Sequence, residues 1–438
     1  MWLNNPAARA AFRTAHAQLE LLEAVGFAPE TVRQIQREKL ALLWNRAARV
    51  PYYRGLPGLA DRDLDRLPVT EKDALKARPA DFEIPDLPDV IKYYHSSGSS
   101  GRSTPTPRLA EDIIHNVIGV AGLWRRALGR TPTRVASLLP SDVVPVGDFV
   151  ASVCEYLGHT LLRCYPYSQG ICDFDRLDAV FSSFRPERVF AAPGVLMQWT
   201  RVLKTRGRLA ELRASVRTIM LLGEVCLPAQ RRKLARDWGA DVLDGSYGST
   251  ETGTIAAACE RGGMHLLLPG HLVELRTPDG IGPAVPGGSG ELVDTTLNNY
   301  ARPLLRFGTG DLVDVPAEPC PCGLPLPTLR IHGRRTDGIA LHGQALDEHL
   351  VGSLVYDDPR LTGYLIQMLG DGSGGRLVLE KDVDVAAADD ELVAAVSRRF
   401  AATGIQWDQV VVVSQLPATS KSGGSQKSWK RTNVVTLS

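Results

Sequence analysis

The chain has 438 residues, 44% hydrophobic and 23% charged, and 50 Lys and Arg against 49 Asp and Glu leave a formal charge of +1. This globular composition excludes disordered, collagen-like and coiled-coil classes, and at roughly 150 residues per domain it predicts two or three domains. No basic excess points to a nucleic-acid partner, and no run approaches the roughly 18 apolar residues of a membrane span. The N-terminal stretch lacks the pattern of a signal peptide. Seven cysteines, an odd number, suit a reducing, cytoplasmic setting better than a disulfide framework.

From Ala7 to Val50, apolar residues at helical spacing (Leu19, Leu22, Val25; Val32, Ile35, Leu40, Leu43) predict a helical hairpin that breaks after Gly26 and restarts at Pro29 and Glu30. Thr70 is expected to cap a short helix. Beyond residue 110, short apolar strands (Val135–Leu139, Thr160–Cys164, Arg188–Ala192, Thr218–Leu222, Asp241–Leu243) alternate with helices near 110–128, 148–157, 174–184, 194–206 and 228–238. That alternation implies a buried, mainly parallel α/β sheet. From about 270 to 315 helical spacing vanishes and Gly/Pro turns separate strand-like segments, which predicts an antiparallel β subdomain. After a Gly- and charge-rich break near 333–345 come two strands, a helix at 386–402 and the strand QVVVVS, a small α+β domain. The tail SKSGGSQKSWKRTNVV reads as flexible.

Three segments carry chemistry. Ser96-Ser-Gly-Ser-Ser-Gly-Arg-Ser-Thr104 follows the apparent strand Ile91–His95 and precedes a helix; its glycines free backbone N–H groups and its hydroxyls add donors, so it suits a polyphosphate, with a Ser/Gly linker as the alternative. Gly245-Ser-Tyr-Gly-Ser-Thr-Glu-Thr-Gly253 places a ring, a hydroxyl and a carboxylate within five residues, fit to stack a base, touch a phosphate and hold Mg2+, or simply to turn the chain after a strand. Arg306-Phe-Gly-Thr-Gly-Asp311 sets a carboxylate behind a Gly turn, where it can accept from ribose hydroxyls. Cys259-x5-His265 and Cys320-Pro-Cys322 offer a Cys3His set suited to tetrahedral zinc, or else buried thiols.

In this order the segments resemble the adenylate-forming superfamily, and within it the phenylacetate–CoA ligase-like branch. IHGRRTDGI is similar to its hinge segment and RVPYYR…LPVTEKDAL to its N-terminal region, so the likeness spans essentially the whole chain. It implies a large adenylation domain at 1–335, with a helical N-terminal region and a β subdomain near 259–330, followed by a small mobile α+β domain at 336–438. It further implies that Ser97, Gly98, Ser99, Ser100 and Gly101 form the phosphate loop. Tyr247 and Gly248 would meet adenine beside Gly223 and Glu224, Thr250 the α-phosphate, Glu251 the Mg2+, and Asp311 with Arg334 the ribose. Such enzymes adenylate a carboxylic acid with ATP and pass the acyl group on, most often to coenzyme A. Related proteins of the branch carry a comparable Cys/His cluster, which implies structural zinc at Cys259, His265, Cys320 and Cys322, and many are homodimers.

Departures mark where the resemblance is loosest. Arg102-Ser103 stands where relatives show Lys-Pro, and Thr336-Asp337 at the hinge. The tail lacks the Gly-Lys pair of R-x-x-G-K-x-x-R; Lys427 fits the catalytic lysine best, with Lys421 and Lys430 as candidates. The acid-lining set carried over is Phe149, Tyr167, Ala192, Pro193 and Ser246, together with Val144 and Gly194. Its aromatic and small residues suit a flat aromatic acid. Transfer to an amine or a carrier-protein thiol, or a non-catalytic nucleotide-binding relative, are the alternative readings.

Overall fold

Helical spacing sets the first pair of elements. The structure, a computed structural model, describes residues 4–87, 89–96, 103–334, 338–369, 373–417 and 433–437. Pro6–Ala24 and Pro29–Ala47 form the expected hairpin, each with Pro in its first turn, where a missing N–H leaves no bond unmade. The Asn5 side chain caps the first helix, accepting from Ala8 N at 3.0 Å. Ala8, Ala11, Ala15 and Leu19 then press on Ile114 and Ile118 of the helix Ala110–Leu128.

The chain divides into two compact units: residues 1–135, 140–161 and 244–334, and residues 136–139, 162–243 and 335–438. Residues 162–243 thus group with the C-terminal stretch, a different cut from the 1–335 and 336–438 partition that the resemblance implies.

In the first unit a six-stranded sheet runs in the order Thr70–Glu71, Phe307–Asp314, Ser289–Thr296, His271–Thr277, Gly280–Pro283, and Arg330–Arg334 also joins Phe307–Asp314. The pairs between 271 and 334 are antiparallel, as expected. Thr70 is not a cap. It lies in a short parallel strand against Phe307, and its hydroxyl donates to Leu305 O at 2.8 Å. Glu71 takes the capping position of Lys72–Ala77. A long-range partner has overridden the local preference of Thr.

The Ser/Gly segment also sits differently. Val90–His95 pairs antiparallel with Pro105–Leu109, so a strand separates that segment from the helix Ala110–Leu128. Pro105 and Pro107 disguise the strand; a two-stranded hairpin has outer edges on which a missing N–H is tolerated.

The second unit holds five strands in the order Thr160–Arg163, Arg134–Leu138, Arg188–Ala191, Thr218–Leu221, Asp241–Asp244. Arg188–Ala191 and Thr218–Leu221 pair in parallel, and Val189, Phe190, Ile219 and Met220 are fully buried. Thr160–Arg163 is an edge strand and half-exposed, less buried than its sequence suggests. The expected helices stand at Phe174–Phe184, Pro193–Thr205 and Pro228–Trp238. Phe181, Trp199 and Trp238 form an aromatic cluster, and both indoles donate, Trp199 to Asp178 and Trp238 to Thr200, each at 2.8 Å.

The C-terminal sheet runs Gln409–Val413, Gly375–Lys381, Leu361–Leu369, Val434–Leu437, beside the expected helix Asp389–Ala401. Part of the supposedly flexible tail is therefore ordered: Val434–Leu437 pairs in parallel with Leu361–Leu369. The helix Glu348–Tyr356 and the hairpin Gly338–Leu341/Gln344–Asp347 were not foreseen. Among the described residues no helix is long and apolar enough to cross a membrane.

A buried charge cluster joins the helices of the second unit to this C-terminal sheet. Asp382, 2% exposed, accepts from Lys204 at 2.7 Å and from Lys233 at 2.5 Å; Lys204 also meets Asp237 at 2.9 Å. Burial pushes the Asp382 carboxyl up, but the two lysines outweigh it and hold it below its ordinary value. Asp382→Asn should destabilise the protein by about 3 kcal/mol, as expected when one partner of a buried pair is removed. Because the folded value is depressed, this contribution is complete above the unfolded carboxylate value of about 3.9 and is lost as pH falls through the folded one. Denaturant melts should therefore show a constant difference between wild type and variant from about pH 5 to 8, narrowing only below about pH 4.

Candidate active site and metal centre

Two close backbone approaches shape the Gly245–Gly253 segment. Ser246–Ser249 and Gly253–Ala258 pair as a tight antiparallel turn, and a Cβ on Gly248 would lie 2.1 Å from Gly253 O, so only glycine fits there. The turn presents half-buried Tyr247 and Thr250 and carries Glu251, which is 4% exposed. The Tyr247 hydroxyl donates to Asp311 Oδ2 at 2.7 Å, so the ring of one motif and the carboxylate of another meet in the first unit. Burial, and then the charge of Asp311, push the Tyr247 phenol well above its ordinary value, which keeps it a donor. Arg334 pairs in register with Asp311 along the backbone.

Residues that the motifs did not single out hold this arrangement. Arg108, two residues before the Ala110–Leu128 helix, donates to Thr250 O at 2.7 Å and Glu251 O at 3.1 Å. Asn299 Nδ2 donates to Glu251 O at 2.9 Å and Thr252 O at 3.2 Å. Asp112 accepts from Leu109 N at 2.8 Å, closing the start of the helix, and from Tyr300 N at 2.6 Å. Burial raises Asp112 to about 6 despite Arg108 and three backbone donors. Arg302, fully buried, donates to Glu83, to Thr106 Oγ1 and to Pro105 O. The only sequence signal for Arg108 and Arg302 is their setting: an arginine amid apolar or proline neighbours, close to a motif.

Around the Val90–Leu109 hairpin, Thr104 Oγ1, Arg108 Nη1 and Arg302 Nε are buried with no hydrogen-bond partner among the described residues. Buried orphans of this kind ask for a ligand or water, and two of the three are cationic donors. Ser97, Gly98, Ser99, Ser100 and Gly101 lie outside the described residues, as do Arg102, Thr336, Asp337 and the lysines 421, 427 and 430.

In the second unit, Ala192 and Pro193 leave the strand Arg188–Ala191 beside Gly223 and Glu224, which leave Thr218–Leu221. Leu222 N donates to Ala191 O at 3.0 Å, and Glu224 Oε2 accepts from Gly194 N at 3.3 Å. Ends of parallel strands are where open α/β sheets bind ligands. Ala192 is fully buried, and the Tyr167 hydroxyl donates to Gln198. Phe149 and Ser246 belong to the first unit, Phe149 packing on Trp124 with ring centroids 5.4 Å apart.

The Cys/His set converges. The ligand atoms of Cys259, His265, Cys320 and Cys322 all lie within 4.8 Å of one another. Cys259 Sγ and Cys320 Sγ are 3.7 Å apart; two sulfurs at 2.3 Å from a tetrahedral zinc would be about 3.8 Å apart. His265 Nδ1 faces Leu326 O at 2.8 Å, and since a carbonyl only accepts, the ring proton sits there and Nε2 is bare toward Cys322 Sγ at 3.1 Å. Backbone N–H groups of Arg261 and Leu324 point at Cys259 Sγ and Cys322 Sγ. A Cβ on Gly263 would come within 2.5 Å of Cys320 Sγ, so that glycine makes room for a ligand. His271 is engaged with Asp294 at 3.0 Å and His332 with Asp314, so neither joins the set. Of the remaining cysteines, 154, 164 and 226 are buried as expected, and 172 is only half-buried.

No family model matches the chain. The phenylacetate-coenzyme A ligase of Thermus thermophilus is 29% identical over 316 residues, 67% of this chain and 68% of that protein. That of Aromatoleum evansii is 25% identical over 389 residues, 82% and 83% of the two chains. The solved structure of 2-hydroxyisobutyryl-CoA ligase in the postadenylation state with 2-HIB-AMP shares the fold, with a TM-score of 0.79 at 18% identity, covering 94% of this chain and 90% of that one. The phenylacetate-coenzyme A ligase relatives and the shared fold point to the adenylate-forming superfamily and, within it, to the phenylacetate–CoA ligase-like branch.

Replacing Arg108 with Met should strand the Thr250 and Glu251 carbonyls and lower unfolding free energy by about 2–4 kcal/mol. Native-state hydrogen exchange should show the amides of residues 250–254 opening more than those of the distant Leu361–Leu369 strand.

Proposed function

We propose that the chain is an ATP-dependent, AMP-forming carboxylic acid ligase that adenylates an acid, by preference an aromatic one, and transfers the acyl group to coenzyme A. The observation that carries this reading is the Tyr247–Asp311 contact beside a Glu251 loop that Arg108 ties to the phosphate hairpin. In the first step a carboxylate oxygen of the acid attacks the ATP α-phosphorus and pyrophosphate departs, giving the acyl-adenylate. In the second the coenzyme A thiolate attacks the acyl carbon and AMP departs.

Each residue has a role in this reading. Tyr247 stacks on adenine and Asp311 with Arg334 takes the ribose hydroxyls. Thr250 touches the α-phosphate, Ser97 to Gly101 cradle the outer phosphates, and the orphaned donors of Arg108 and Arg302 favour an anion near the hairpin. Glu251 is the residue that would hold Mg2+, which supplies charge neutralisation for the departing pyrophosphate. Lys427 approaches the carboxylate and α-phosphate from a C-terminal domain, 336–438, that moves relative to 1–335 between the two steps. The acid lies against Phe149, Tyr167, Ala192, Pro193 and Ser246.

The test is pyrophosphate release from ATP and Mg2+ with a panel of aromatic and aliphatic acids, with and without coenzyme A. Release should depend on a particular aromatic acid, accelerate with coenzyme A, and disappear in Lys427→Ala, which should still convert pre-made acyl-adenylate to thioester. Acid-dependent release indifferent to coenzyme A would redirect the acceptor to an amine or a carrier-protein thiol. Nucleotide binding without release for any acid would make the chain a non-catalytic relative.

We infer further that Cys259, His265, Cys320 and Cys322 hold a structural zinc ion. Four protein ligands close the coordination shell, so the site would brace the β subdomain and not take part in the reaction. Without a cation, burial pushes the Cys259 thiol up to about 12. Protein purified without chelator should contain about one zinc per chain by elemental analysis, and Cys322→Ser should lose the metal and lower the melting temperature. Zinc-free wild type of unchanged stability would mean that the four side chains are only packed together.

A further inference from the structure

The four metal-type ligands come from two short turns of chain, with Cys259 and Cys320 separated by 61 residues. Chain entropy opposes holding such turns together. Downstream of both cysteine turns the two segments are joined, Leu266 N donating to Pro327 O at 2.9 Å and Leu329 N to Met264 O at 2.8 Å. The turns themselves are closed locally. Gly262 N donates to Cys259 O and Cys259 N to Gly263 O, each at 3.0 Å, and Gly323 N donates to Cys320 O at 3.1 Å. None of these bonds runs from one cysteine turn to the other.

Arg126 makes that crossing from a third part of the chain, the last turn of the Ala110–Leu128 helix. Its Nε and Nη2 donate to the two carboxylate oxygens of Glu260, at 2.8 and 2.6 Å, and Nη2 also donates to Cys322 O at 2.9 Å. Glu260 directly follows Cys259, so one planar group grips the residue after one ligand and the carbonyl of another. The helix that carries it is well anchored: two residues earlier, fully buried Trp124 donates from Nε1 to Gly245 O at 2.9 Å. Arg126 and Glu260 are 35% and 33% exposed, so their Coulomb attraction alone is worth little. A guanidinium fork fixes direction as well as distance, which an ammonium does not.

Charge points the same way. Zinc with three thiolates and a neutral imidazole carries a single net negative charge, and the guanidinium brings a positive one beside it. We propose that Arg126 is a positioning residue for the metal: it binds no ion, but holds the Cys259 and Cys322 turns at the ligand spacing and offsets the charge of the filled site, so that zinc is retained. This rests on the zinc reading given above and names a residue that neither the motif nor the ligand set contains. Donors one layer out from a metal commonly fix its ligands in this manner.

Competition for zinc between the full chain and a coloured chelator, under native conditions, tests this. Arg126→Gln removes both fork and charge and should weaken zinc binding at least roughly tenfold. Arg126→Lys keeps the charge without the fork and should fall between that variant and wild type. Arg125→Gln is the comparator: on the same helix, Arg125 pairs instead with Glu23 at 3.0 Å, and its loss should leave zinc affinity at the wild-type value. A merely structural role for the helix end would move both variants alike. Should Arg126→Gln fail to fold by circular dichroism, Arg126→Lys and Glu260→Gln, which loses the two-point grip, decide the matter. Wild-type zinc affinity in the Arg126 variants, or an equal loss in Arg125→Gln, would overturn the proposal alone. Wild type that neither carries nor takes up zinc would overturn the zinc reading and this inference with it. None of these readouts requires turnover, so the ligase reading stands apart from them.

Discussion

The geometry of the first unit depends on two buried charges placed where a strand becomes a helix. Arg108 and Asp112 are four residues apart, both nearly without solvent, and each offsets part of the other's desolvation. Neither is satisfied by the other alone. Arg108 reaches the carbonyls of Thr250 and Glu251; Asp112 takes the N–H groups of Leu109 and Tyr300. The Val90–Leu109 hairpin, the Glu251 loop and the segment leading to Arg306 and Asp311 are thereby held to one turn of chain. A buried charge with several fixed partners constrains geometry more than an apolar contact does, because displacing any partner leaves an unmet polar group in a low dielectric.

Periodicity made much of the α/β framework legible. Ala110–Leu128, Phe174–Phe184 and Pro228–Trp238 fall where apolar spacing put them, because each buries one face against its neighbours. What escaped depends on partners far along the chain. Thr70 has the chemistry of a cap but serves as a strand residue because Leu305 and Phe307 come to it. Pro105–Leu109 was not foreseen as a strand, and two of its five residues are proline. Val434–Leu437 sits behind a polar, glycine-containing tail, and only its pairing with Leu361–Leu369 makes it a strand.

The candidate site was legible in a different way. Tyr247, Asp311 and the Cys3His set were found from residue type and order, and the structure brings Tyr247 to Asp311 and the four metal-type ligands to one point. Their supports were not found: Arg108, Asn299 and Asp112 have no spacing signature, since each acts through backbone carbonyls and amides that any sequence supplies, and Arg302 reaches Glu83 and Thr106 far along the chain. Motifs record side-chain chemistry that cannot be substituted. Supporting contacts to the backbone record only position, and a single sequence does not carry it.

Satisfied and unsatisfied buried groups divide along this same line. Asp112, Asp382, Arg306 and Glu291 are buried with their charges or hydrogen bonds met inside the protein, and their work is to hold elements together. Thr104 Oγ1, Arg108 Nη1, Arg302 Nε and Asn298 Oδ1 are buried without a partner among the described residues. Each such atom carries a desolvation cost of about 1–3 kcal/mol unless something completes it. The first three lie around the Val90–Leu109 hairpin, and two of them are positive; the fourth is an acceptor in the segment 296–299. Two cationic donors left unmet at one hairpin favour an anionic partner there, whereas a single neutral acceptor selects none.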